Sequence, residues 1–152
     1  DSTGVLPYDM QLGSGSYDLL VGYGMGNMWK SWHVGTEAKY LWRTCDNEQG
    51  YRLGDRYSIE GYVKYHLKTN TTLRSSVKHE DWGKIRGRDD RIDDNPNYYG
   101  GMRTDLWIGA SQTLPFGFAL DLHYGLPLHQ KLNEVQMQTD WQMQVGISWM
   151  WM

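Results

Sequence analysis

The chain has 152 residues, enough for one domain, and carries 22% charged residues at a formal net charge of -3. That balance offers no grip to a polyanion, so nucleic acid is excluded as the expected partner. A mean hydropathy of -0.67, with no run near the roughly 18 apolar residues a helical span needs, excludes a helical membrane protein. The lone cysteine, Cys45, excludes an internal disulfide framework and reads as a thiol in a polar loop.

Glycine (18), tyrosine (11) and tryptophan (8) are abundant while phenylalanine (2) is scarce. Aromatics with a polar handle suit a membrane–water boundary, where one end of the ring is wet. The chain begins at Asp1 with no visible leader, as expected of a trimmed precursor or of a piece of a larger protein.

Residues 1–16, with Pro7 and three glycines, read as a loop or a partial strand. Alternating segments then follow one another. Tyr17, Leu19, Val21, Tyr23 and Met25 oppose Asp18, Gly22, Gly24 and Gly26; after a turn near Met28–Lys30, Trp32, Val34, Ala38, Tyr40 and Trp42 oppose His33, Gly35, Glu37, Lys39 and Arg43. Beyond a polar loop at 45–55, Tyr57, Ile59, Val63, Tyr65 and Leu67 oppose Arg56, Ser58, Glu60, Lys64 and His66. A turn at Thr69–Asn70 leads to Leu73, Ser75 and Val77 against Arg74, Ser76, Lys78 and Glu80, with His79 and Asp81 breaking the pattern at the strand's end.

The most charged loop spans 83–97. Met102, Thr104, Leu106, Ile108 and Ala110 then oppose Arg103, Asp105, Gly109 and Ser111, and a turn at Pro115–Gly117 follows. Phe118, Leu120, Leu122, Tyr124 and Leu126 oppose Ala119, Asp121, His123 and Gly125, and a loop at 127–140 comes next. The last stretch alternates Trp141, Met143, Val145, Ile147, Trp149 and Trp151 with Gln142, Gln144, Gly146 and Ser148.

Successive side chains on a strand point to opposite faces, so this pattern gives each strand one greasy and one charged face. Strands of about ten residues are long enough for a tilted bilayer crossing. Short turns alternate with long loops, as in outer-membrane barrels, whose turns are periplasmic and whose loops are external. The aromatics form two groups on this register. Trp29, Trp32, Tyr65, Phe116, Trp149 and Trp151 collect at the short-turn end; Tyr17, Tyr40, Trp42, Tyr57, Tyr98, Tyr124 and Trp141 collect at the long-loop end.

The expected fold is therefore all-β: an antiparallel transmembrane β-barrel in the bacterial outer membrane, with Met152 on the periplasmic side. Seven strands are read. Bacterial single-chain barrels have an even count, so either residues 1–16 supply an eighth or an odd number of strands precedes them in a larger barrel; the latter is favoured.

Three stretches carry a family resemblance: Val5–Gly15 running into Tyr17–Leu20, then Gly50–Asp55, and Leu126–Leu128 with Gln130–Gln136. Together they resemble the C-terminal part of bacterial outer-membrane transporters of the phenol-degradation meta-pathway type. The resemblance implies a barrel of about twelve strands and passage of small solutes, with no catalytic residue or cofactor. The terminal Met152 departs from the aromatic residue on which barrels usually end.

The candidate site is the lumen face: Glu37, Lys39, Arg43, Glu60, Lys64, Arg74, Lys78, Glu80, Arg103, Asp105, Asp121 and His123. These could pair across strands as structure, or line a hydrated path and bias which solutes pass. Their signs nearly balance, so no ion preference is read. Gly22, Gly24 and Gly26 lack the spacing of a dinucleotide loop and are expected to relieve crowding or permit a kink, with an internal segment seated there as the alternative. The acidic run Asp89, Asp90, Asp93 and Asp94 could bind a divalent cation through its carboxylates, but Arg86, Arg88 and Arg91 neutralise it and a solvated loop is expected. The five histidines form no HxxxH or HxH pair, so no metal site is expected.

Expected partners are outer-membrane lipid and a small solute, with a homo-oligomer or a lumen-filling partner also open. Two other functional classes remain in play: a scaffold or sleeve around a partner, and an outer-membrane lipid hydrolase, although no GxSxG elbow is present. The competing architecture is a soluble antiparallel β-sandwich.

Overall fold

A computed structural model describes residues 17–47, 50–67, 70–87, 99–132 and 139–149. The chain is all-β. Seven long strands form one antiparallel meander: β1 (Asp18–Trp29), β2 (Trp32–Arg43), β4 (Arg56–Leu67), β5 (Thr71–Trp82), β7 (Gly101–Thr113), β8 (Phe118–Leu132) and β9 (Gln142–Trp149). Two short strands, β3 (Tyr51–Arg52) and β6 (Arg86–Gly87), pair in a separate ribbon. Each long strand pairs with its neighbour in sequence, the arrangement that short connections enforce.

Turn chemistry fixes the registers. Lys30 and Asn70 adopt left-handed backbone at φ 52 and 56, so β1 and β2 close at Trp29↔Trp32 and β4 and β5 at Leu67↔Thr71. A 3-10 turn, Pro115–Gly117, joins β7 to β8.

Burial is inverted relative to a water-soluble domain. On the greasy face Val34, Ile108, Val145 and Ile147 are exposed, the last at 76%. On the opposite face Ser76, Glu80 and Asp105 are buried, at 3%, 6% and 3%. Acidic side chains are seldom buried unless paired, and aliphatic ones are normally the first to be covered. Among the described residues the buried hydrophobics are Tyr51 and Ile85, packed with Leu53 and Tyr99 around the loop ribbon and not in the long strands.

Aromatic contacts gather at both ends of the greasy face. Trp32 meets Tyr65 at 4.6 Å between centroids, and Phe118 stacks on Trp149 at 5.8 Å. At the other end Tyr124 stacks on Trp141 at 6.2 Å. Tyr98 and Trp151 lie outside the described residues.

The described sheet is not closed, since β1 and β9 each have one neighbour among the described residues. Expectations about the loops are corrected. The loop expected at 127–140 begins later, because β8 runs on to Leu132. Pro127 brings no N–H to the ladder, and the register slips there, between Thr104 and Asp105, instead of ending. The loops expected at 45–55 and 83–97 are partly ordered by β3 and β6. The candidate eighth strand in residues 1–16 and the acidic run at 89–94 lie outside the described residues.

Candidate functional site

All twelve candidate residues fall on the charged face, because each is in register with another member of that face. The ladder runs Glu37↔Glu60↔Lys78↔Asp105, with Lys39↔Ser58↔Glu80↔Arg103 beside it and Lys64↔Arg74↔Gly109↔His123 on its other side. Asp121 pairs with Ser111, and Arg43 with Asp18. No single point gathers them. They divide into separate clusters of neighbouring opposite charges.

The densest cluster surrounds Glu80. Arg56 donates to its Oε2 at 3.1 Å, Lys78 Nζ lies 2.8 Å from Oε1, and Arg103 approaches to 3.7 Å. Arg103 also pairs with Asp105 at 2.7 Å. One sheltered carboxylate thus sits among three cations, and a second carboxylate compensates the last of them. Pairs of this kind persist in a sheltered setting only when every member is satisfied.

Next to it, Arg74 donates to Glu60 at 2.6 Å. Glu37 stands directly opposite Glu60, which by itself is unfavourable. Arg74 neutralises one carboxylate and Lys39, 3.6 Å from Glu37, the other. Toward the β1 edge Arg43 donates to Asp18, and toward β8 Ser111 donates to Asp121.

Two aromatic residues of this face were missed in the alternation. Tyr62 holds Lys64 at 5.0 Å and Arg74 at 4.9 Å from its ring centre and meets the His33 ring edge-on. Trp107 shares a cavity of about 230 Å³ with Glu60, Arg74, Ser76, Lys78, His123 and Gln144. Composition alone places an aromatic ring with the greasy face, so the alternation assigns neither residue to the polar one. Pairing sets a glycine opposite each: Tyr62↔Gly35 and Trp107↔Gly125. His123↔Gly109 repeats the pairing.

The glycines in β1 differ among themselves. A Cβ on Gly22 or Gly24 would make ordinary contact with Lys39 or Glu37, whereas one on Gly26 would come within 2.9 Å of His33 Nε2. Only Gly26 meets the expectation of relieved crowding.

The long-loop end is tied down through Asp55. Its carboxylate accepts from Tyr40 at 3.1 Å and from the Arg43 backbone N–H at 2.9 Å, while its carbonyl accepts from Gly83 N–H at 2.8 Å. A Cβ on Gly54 would collide with the Gly83 backbone, so this crossing requires glycine. Two loops are thereby fastened to the strand ends of β2.

Comparison with protein-family models, with curated proteins and with solved structures finds no match. Function must be argued from the two faces of the sheet.

Proposed function

We propose that the chain is part of an outer-membrane β-barrel that passes small solutes through a polar lumen of mixed charge. The observation that carries this is the inversion of burial: Ile147 lies open at 76% while Glu80 is covered to 6%. An aliphatic face of seven strands in water would be a severe aggregation hazard; against hydrocarbon it is the stable arrangement. Among the described residues β1 and β9 each have one neighbour, and within a bilayer the backbone groups of such edges must find partners. Further strands of a larger barrel, of the kind suggested by the family resemblance, would close it.

In this reading lipid contacts the greasy face, β9 ends at the periplasmic side, and the twelve charged and titratable residues line the bore. In this reading the chain is a channel; the Ser111 hydroxyl donates to Asp121 and so is not the histidine-activated nucleophile a hydrolase would need at that position. A sleeve around a partner is favoured by one observation, the exposed β1 row Gly22, Gly24 and Gly26, where a segment could lie close to the backbone.

Planar-bilayer conductance of the detergent-extracted full-length protein tests both. A transporter gives small, solute-sensitive steps, and an empty sleeve gives large unselective ones. A protein that stays soluble and monomeric without detergent would end the membrane reading.

A further inference from the structure

We infer that the hollow over Trp107 is a subsite for the ring of a neutral sugar. This rests on the lumen reading, since Trp107 faces a solute path only if the charged face is enclosed.

The indole lies flat. Its Cδ2, Cε2 and Cε3 atoms are each 3.0 Å from the point where a Cβ on Gly125 would stand, so one face of the ring rests on bare backbone. The indole also borders the cavity of about 230 Å³. A flat, electron-rich surface is a platform for stacking, and weakly polarised C–H groups on one side of a pyranose ring are a suitable partner for it.

The surrounding groups decide which ring. Arg74 is held by Glu60 at 2.6 Å and Lys78 by Glu80 at 2.8 Å, so each cation bordering the hollow already engages a carboxylate. What remains is a rim of mixed hydrogen-bonding capacity: the Ser76 hydroxyl, the Gln144 amide, the His123 imidazole and the unused lone pairs and N–H groups of the ion pairs. A polyhydroxylated ring needs donors and acceptors together. An aromatic carboxylate would use the platform but find its cations occupied.

Saturation-transfer NMR on the folded full-length protein in a zwitterionic, sugar-free detergent tests this, with methyl glucopyranoside as probe and benzoate as the anionic comparison. The expected result is saturable binding of the glucoside, with transfer strongest to its ring C–H protons, and little transfer to benzoate. Trp107→Ala should weaken glucoside binding by about tenfold, the scale of one lost stacking contact. Trp107→Phe should keep part of it. Should Trp107→Ala fail to fold, Gly125→Ala serves instead: its methyl tilts the platform, and binding should fall while the folded gel mobility is kept.

Benzoate binding in preference to the glucoside, or glucoside binding that neither variant alters, would overturn the sugar site. Conductance is read separately on the same protein. Conductance without glucoside binding removes the subsite and leaves the channel; glucoside binding lost in Trp107→Ala, without conductance, keeps the subsite and removes the channel.

Discussion

Tyr62 lies directly across the β2–β4 pair from Gly35, its phenol oxygen 2.5 Å from where a Cβ on that glycine would stand. Trp107 over Gly125 and His123 over Gly109 repeat the relationship on the same face. Large rings on the sheltered face are accommodated by removing the side chain opposite, so glycine is a packing residue here as much as a flexible one.

Gly35→Val should therefore displace Tyr62 and cost about 1–3 kcal/mol, the usual scale of overpacking. Urea unfolding from lipid vesicles measures it. Tyr62→Ala combined with Gly35→Val should cost less than the two separately, because the second substitution clears the space that the first invades. Strict additivity would mean that the two residues do not share that space.

Glu80→Gln should destabilise more than any other single charge removal on this face. Three cations would lose their common carboxylate, leaving Arg56, Lys78 and Arg103 to repel one another. A cost of about 1–3 kcal/mol is expected, discounted from the fully buried case because Arg56 is half exposed. High salt should recover part of the loss, which a denaturation series in increasing NaCl reads directly.

Val77→Arg, at the middle of β5 on the greasy face, should impair insertion into vesicles by about 2–4 kcal/mol. Ser111→Arg on the opposite face should be tolerated far better in the same assay, because that face already carries arginines. Equal tolerance on both faces would refute the assignment of one of them to lipid.

Lys39→Gln should shift ion selectivity toward cations with little loss of stability. Lys39 is 58% exposed and its pairing with Glu37 is long, so its charge is available to the bore. The reversal potential across a bilayer under a KCl gradient gives the shift. An unchanged potential would place Lys39 off the conduction path.

The alternation by itself determined most of the architecture. The strand count, the meander order, the hairpin at Lys30 and the common face of the twelve charged residues follow from a period of two and from turn residues, both local properties of the chain. Two features were not local. Pro127 reads as the end of a strand, yet β8 continues past it, because the β7 ladder tolerates a slip at Thr104/Asp105. Tyr62 and Trp107 belong to the polar face although their composition is greasy, because each ring finds space over a glycine that only pairing with the next strand supplies. Tertiary structure also decided which charges meet. Sequence spacing assigns Glu80 a face, but its three cationic neighbours come from its own strand and the strands on either side, and only the registers of β4, β5 and β7 bring them within reach.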